Sequence, residues 1–168
     1  MDVDDLRSLY LNKLKEACDC EAQTIGGLSA MAVSAGSVGL RSAMRQHVAQ
    51  TALHGRLAEA ILRRHGTYPK PGCDQVAAAL ARKAGEIVRE LSDPDLRDAA
   101  LIATGRRVAH HQIAAYSAAE RHAEALLLEV DRHRLLAILN EESSTDRRLA
   151  GLQGEANQIA FLAGRPFC

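Results

Sequence analysis

The sequence predicts an all-α fold, a bundle of four long helices with an additional short helix between the second and third. Two observations carry this. Apolar residues recur at helical spacing over four stretches of roughly 25 to 33 residues, and stripes of that length are buried most economically against one another. Hydrophobic residues make up 47% of the chain but aromatics only 3%, with no Trp. The core must therefore be filled by Leu, Ile, Val and many Ala, a composition that lets helices approach closely.

The first helix is expected from Asp2 to about Val33, on the stripe Leu6, Tyr10, Leu14, Ala17, Glu21, Ile25 and Leu28, with Ser34-Ala-Gly36-Ser37 ending it. The second runs from Val38 to His65 on Leu40, Met44, His47, Thr51, His54, Ala58 and Ile61, closed by Gly66 with Pro69 and Pro71 beyond. A shorter amphipathic segment, Cys73 to Leu91, repeats Val76, Leu80, Ala84, Ile87 and Leu91. Ser92 or Asp93 can cap the third long helix, with Pro94 favoured in its first turn. That helix continues to about Leu127; Ile102, Gly105, Ala109, Gln112 and Tyr116 share one face, while Arg97, Arg106, Arg107 and Glu120 fall away from it. A break near Glu129-Val130 precedes a fourth long helix from Asp131 to about Leu162, where Leu135, Leu139, Glu142, Asp146, Leu149 and Ala156 align.

At 168 residues the chain forms one domain, 1–168, large enough to bury a core without disulfides or a structural metal. Basic and acidic residues both total 21, and no basic run with interleaved aromatics would follow a phosphate backbone, which argues against nucleic acid as a partner. No stretch approaches 18 uncharged apolar residues, so no membrane span is expected. Met1-Asp-Val-Asp-Asp5 is acidic where a signal peptide is basic, and the chain reads as cytoplasmic. Cys18, Cys20, Cys73 and Cys168 contain no C-x-x-C and read as free thiols in a reducing compartment. Cys18 and Cys20, two apart on a helix, point in different directions. Asp19 and Glu21 beside them would raise their pKa, which argues against cysteine nucleophilic catalysis. The dibasic pairs Arg63-Arg64, Arg106-Arg107 and Arg147-Arg148 read as solvated faces with acidic neighbours.

Each long helix also places polar residues on or beside its apolar stripe. These are Glu21 on the first; His47, Gln50, Thr51 and His54 on the second; Gln112 with neighbouring His110 and His111 on the third; and Glu142 and Asp146 on the fourth. A buried carboxylate is expensive and neutralises or finds a cation, so Glu21, Glu142 and Asp146 converging on one level call for a shared cation or paired imidazoles. Taken singly, each reads as a hydrogen-bonded or solvated residue. As a set they outline a candidate metal site, because facing carboxylates and imidazoles are how bundles hold two iron or manganese ions.

Several segments resemble the YciF-like branch of the ferritin-like superfamily over nearly the whole chain: Tyr10-x-x-x-Leu14 with Cys20-Glu21-x-Gln23, His47-x-x-Gln50-Thr51-x-x-His54, Pro69-Lys-Pro71-x-Cys73, Arg97-Asp-Ala-Ala-Leu-Ile-Ala103, Val108-Ala-His-His-Gln-Ile-Ala-Ala-Tyr116 and Asn140-Glu141-Glu142. The resemblance implies a dimeric ferritin-like bundle linked to bacterial stress, with a dinuclear metal site in many members. It also implies a departure. Where the family carries Glu-His-Tyr-Glu this chain has Ala109-His110-His111-Gln112, and Gln50 stands for another Glu, so three carboxylates are gone.

Two expectations follow. In the first, the chain is a homodimeric, stress-related binding or structural protein whose dinuclear site is depleted. In the second, Glu21, His54, Glu142 and Asp146, with Gln50 or Gln112 as weak ligands, hold iron or manganese and oxidise iron or remove peroxide. His54 and His110 would instead suit one softer ion such as zinc, or hydrogen-bond the surviving carboxylates.

Overall fold

The computed structural model describes residues 3–163, arranged as α1 (Val3–Ser34), α2 (Val38–Arg64), α3 (Gln75–Glu90), α4 (Pro94–Ala125) and α5 (Glu129–Ala163). Cys168 lies outside the described residues; Cys18, Cys20 and Cys73 are free thiols.

The boundaries have local causes. The Ser37 hydroxyl accepts from the Leu40 amide at 3.2 Å and caps α2, and Gly66, in the left-handed region at φ 72°, turns the chain away after it. α3 begins at Gln75, two residues later than expected from Cys73, because Asp74 is its cap: the Asp74 carboxylate accepts from the Ala77 amide at 2.9 Å. Asp93 rather than Ser92 caps α4, accepting from Asp95 and Leu96, with Pro94 in the first turn. The α4–α5 break lies at Leu126–Leu128, earlier than expected. Leu127 takes a left-handed conformation at φ 56° and the Leu128 amide donates back to the Ala123 carbonyl at 2.9 Å, closing the helix without a glycine to mark the place.

The core shows how the helices run. One apolar cluster joins Leu28 and Met31 of α1, Leu40 and Met44 of α2, Leu101 and Ile102 of α4 and Leu149 of α5. A second joins Tyr10 and Leu14, Ile61 and Leu62, Tyr116 and Ala119, and Leu135 and Ile138. Each cluster therefore gathers the start of two helices and the end of two others. α1 and α5 run one way, α2 and α4 the other, and the packed pairs α1–α2, α1–α4, α4–α5 and α2–α5 are all antiparallel. Since α2 and α4 are parallel, the chain must return along the length of the bundle between them. Residues 65–93 make this crossover, with α3 lying against α1 and α4.

Carboxylates fasten the connections. Asp98 of α4 accepts from the amides of Gly36 and Ser37 at 2.7 and 2.8 Å, tying down the α1–α2 turn. At the opposite end Asp131 receives the Tyr10 hydroxyl at 2.9 Å, His65 at 2.6 Å and Arg64. Asp19 of α1 accepts from the amides of Gly72 and Asp74 and from Gln23, which anchors the crossover loop. Burial opposes the Asp19 charge, but those hydrogen bonds outweigh it and lower its pKa.

Two expectations about helix faces are corrected. On α5 the buried stripe is Leu135, Ile138, Glu142, Thr145 and Leu149, so Leu139 and Asp146 lie on its flank; the stripe steps by three and then four, where four and then three was expected. Glu120 is buried, not solvated, and its carboxylate takes Arg132 at 2.9 Å across the α4–α5 hairpin.

The α1–α3 crossing makes a side-chain prediction. A Cβ on Gly27 would sit 3.2 Å from the Ala81 Cα and 3.3 Å from its carbonyl oxygen, whereas one on Gly26 meets nothing within 4 Å. Gly27→Leu should lower stability by about 1–3 kcal/mol through overpacking against backbone. Gly26→Ala should raise it by roughly 0.5–1 kcal/mol by improving helix propensity. Thermal and denaturant melts of the two variants check the contrast; equal effects would contradict the close crossing.

Candidate functional site

Between the two apolar clusters, at mid-height, all four long helices turn polar side chains inward. Glu21 comes from α1, His47, Thr51 and His54 from α2, Gln112 from α4, and Glu142 and Thr145 from α5; all are buried. Their spacing sets this layer. His47, Thr51 and His54 recur at four and three residues on one face of α2, and Glu142 and Thr145 at three on α5.

The groups bond chiefly to one another. His54 Nδ1 lies 2.9 Å from Glu142 Oε1, and its Nε2 lies 3.0 Å from Glu141 Oε2 at the edge of the layer. His47 Nε2 meets the Gln112 side-chain oxygen at 3.0 Å and stands 3.5 Å from Glu142 Oε2. Because Gln112 accepts from His47, its amide nitrogen is free to donate, and it does so to Glu21 Oε2 and to the Thr51 hydroxyl at 3.3 Å.

The protonation pattern follows from burial and neighbours. Burial pushes the Glu21 carboxyl up to about 8, helped by the nearby Glu142 charge, so Glu21 holds its proton at neutral pH. Burial also opposes charge on His54 and Glu142, but here the hydrogen bonds prevail. Those to Glu142 and Glu141 raise the His54 pKa, and those from His47 and His54 lower that of Glu142. The layer therefore favours the charged forms of His54 and Glu142 beside a neutral Glu21 carboxyl.

The sequence-predicted residues separate into two groups. Glu21, His54, Gln112 and Glu142 come together. One ligand atom each from Glu21, His54 and Glu142 lies within 4.8 Å of the others, as one divalent ion would require. Gln50 and Asp146 stand apart from them. Gln50 accepts from the Thr145 hydroxyl at 3.0 Å on the flank of α2, and Asp146 pairs with Arg106 at 2.8 Å and His110 at 3.0 Å near the surface. His111 faces away from the layer and bonds Asp74 at 2.7 Å. Thr145 and Glu141 are the residues that sequence reasoning missed as site members. The signal for Thr145 is its position three residues after Glu142; for Glu141 it is only the need of His54 for a second partner.

Bundles that hold two metal ions draw one Glu from each of two helices and a Glu-x-x-His pair from each of the others. On that register Glu21 and Gln112 occupy the single positions, with Thr51-x-x-His54 and Glu142-x-x-Thr145 as the pairs. Thr51, Gln112 and Thr145 thus stand where Glu, Glu and His belong, so the register places Thr51, not Gln50, at the layer. Two carboxyls, one of them protonated, cannot balance or bridge two cations. The residues present do not fit a dinuclear site. Glu21 Oε1, Glu142 Oε2, His47 Nδ1 and the Tyr116 hydroxyl are buried here without hydrogen bonds of ordinary geometry. Glu21 also lines the floor of an α1–α2 cleft of about 360 Å³, which opens toward solvent beneath Pro69 and Pro71.

An antiparallel four-helix bundle with one long crossover and inward carboxyl and imidazole groups at mid-height is a ferritin-like bundle. The comparisons with known proteins are specific. This chain belongs to the family described as "Domain of unknown function (DUF892)", whose model matches residues 5–160. It is similar to Protein YciF of Escherichia coli (strain K12), 26% identical over 155 residues, which span 90% of this chain and 92% of that protein. The crystal structure of the E. coli stress protein YciF superposes with a TM-score of 0.85 at 23% identity, covering 91% of this chain and 97% of that one. YcfI of Rhodopseudomonas palustris, provisionally described as a structural protein, gives a TM-score of 0.80 at 25% identity over 89% of this chain and 94% of its own.

The titration of the layer is testable. An acid whose folded pKa is raised adds stability fully present below its unfolded value, near 4.5 for Glu21, and lost as pH rises through about 8. The raised His54 pKa acts in the same direction, while the lowered Glu142 pKa adds stability that disappears as pH falls below its ordinary range. The melting temperature should therefore decline between about pH 5 and pH 8, and Glu21→Gln should flatten that decline. An unchanged slope in the variant would show that Glu21 is ionised in the fold.

Proposed function

We propose that this chain is a YciF-type bacterial stress-related protein whose bundle has exchanged dinuclear metal chemistry for a proton-filled polar layer. In this reading it serves a non-catalytic binding or structural role as a cytoplasmic homodimer. The observation that carries it is the occupation of three ligand positions by Thr51, Gln112 and Thr145, together with engagement of the surviving carboxyls by neighbouring side chains, Glu142 by His54 and Glu21 by Gln112. The likeness to YciF supports the stress association and that to YcfI the structural role. The family resemblance supports the dimer. Among the described residues no helix is long and apolar enough to cross a membrane, which agrees with action away from the bilayer.

A cation entering the layer must displace the Glu21 proton and break the His54–Glu142 pair before it gains ligands. That competition works against paired iron(II) or manganese(II) ions, whose sites in bundles are rich in ionised carboxylates.

Protein expressed with iron or manganese in excess and purified without chelator should carry no stoichiometric amount of either by elemental analysis. Adding either ion should leave the melting temperature unchanged, whereas an ion bound to the fold at a hundredfold excess over its Kd would add about 2.7 kcal/mol. About two iron or manganese ions per chain would overturn the proposal in favour of an oxidase or peroxide-removing site. Light scattering on the eluting protein should give twice the 18.1 kDa chain mass, and a monomer would remove the dimer from the proposal.

A further inference from the structure

Outside the polar layer, on an adjoining face of α1, a second group of metal-ligating side chains meets. Cys20 of α1, Asp74 at the α3 cap and His111 of α4 each bring one ligand atom within 4.8 Å of the other two. These residues are distant in sequence and come from three elements, and α3 packs against both α1 and α4. The donor set is a thiol, an imidazole and a carboxylate. We propose that Cys20, Asp74 and His111 form a binding site for a single borderline-soft divalent cation of the zinc class.

Four observations support the site. The Cys20 thiol is fully buried and none of the hydrogen bonds in the described structure involves it, so it is available for coordination. Asp74 is held from several directions: its amide donates to Asp19 at 2.8 Å, its carbonyl accepts from Gln23 at 2.9 Å, and one carboxylate oxygen caps α3. The other oxygen, Oδ2, points to His111 Nε2 at 2.7 Å. Such support fixes a ligand before the ion arrives. Finally, Asp74 and His111 line a cleft of about 350 Å³, shared with Cys73, that gives entry from solvent and leaves a coordination position for water. Three protein ligands and one open position is a familiar zinc arrangement.

The required movement is small. Bonds of about 2.0–2.3 Å in a tetrahedral site put ligand atoms roughly 3.5 Å apart, and His111, only partly buried, can make that adjustment. Binding expels the thiol proton of Cys20 and takes the place of the His111–Asp74 hydrogen bond. Burial, together with the carboxylates of Asp74, Glu142 and Asp19, discourages a free thiolate at Cys20, while the same carboxylates favour a dication beside it. The same surroundings make Cys20 a poor nucleophile.

The test is independent of the reading of the polar layer, because that layer contains no sulfur. Full-length protein stripped of metal is titrated with cobalt(II), whose thiolate complexes give an intense charge-transfer absorption, and zinc(II) is then added in competition. The expected result is a thiolate–cobalt band that saturates at one ion per chain and is displaced by zinc. Cys20→Ser should abolish the band. His111→Gln, a change at a partly exposed position that leaves the core intact, should weaken cobalt affinity at least tenfold with unchanged circular dichroism. Absence of the band, its persistence in Cys20→Ser, or unchanged affinity in His111→Gln would each overturn the proposal.

Discussion

An ion pair held in the middle of an alanine-rich bundle is the constraint on which the rest of this structure depends. Moving either charge out of water costs several kcal/mol, and the attraction between His54 and Glu142 offsets it best when further polar groups stand close to both. Glu141 therefore reaches His54 from the edge of the layer, and His47 stands by the second Glu142 oxygen. Glu21 escapes the same cost by keeping its proton. With so many groups satisfied across helices, the layer contributes less to net stability than to register. A slip of one helix by one residue rotates its polar group by about 100° into apolar surroundings and leaves its partner alone, at a cost of roughly 3–5 kcal/mol.

The apolar clusters on either side make that constraint effective. Tyr10, Leu14 and Leu135 on one side and Leu28, Met44 and Ile102 on the other are fully buried, so water has little access except through the α1–α2 cleft. Low polarity around the layer strengthens the existing hydrogen bonds and penalises any unpaired charge. A bundle with Glu at positions 51 and 112 would need cations to cancel them. With Thr51 and Gln112 the same space is filled by neutral side chains, Gln112 hydrogen-bonding to Glu21, His47 and Thr51, which is why the fold persists without the charge needed for two ions.

The crossover has its own logic. Parallel α2 and α4 oblige residues 65–93 to return along the bundle, and a free loop of that length would cost considerable chain entropy. Asp19 limits this by holding the backbone at Gly72 and Asp74 against α1 while α3 packs over Gly27. The same anchoring brings Asp74 to His111 and Cys20, three residues whose positions in the sequence give no hint of proximity. Cys18 and Cys20 point apart, as two residues on one helix must, but Cys20 acquires its neighbours from other helices.

The sequence by itself determined the five helices and the four polar stripes, because those depend on local spacing, capping chemistry and the positions of Ser37, Gly66, Asp93 and Pro94. It also placed Glu21, His54, Gln112 and Glu142 on inward faces. It was less reliable where a helical step of three or of four fits equally well: Thr145 rather than Asp146 continues the α5 stripe. On α2 the spacing placed Thr51 inward, and only the family resemblance pointed to Gln50, which lies on the flank. The α4–α5 break was legible, but only to within a few residues, because at Leu127 a leucine occupies a conformation that glycine usually signals. Only the tertiary structure decided which carboxyl is ionised, that Glu120 is buried under Arg132, and that Cys20, Asp74 and His111 meet. These are properties of distances between helices, and a one-dimensional pattern carries the direction of a side chain but not the identity of what faces it.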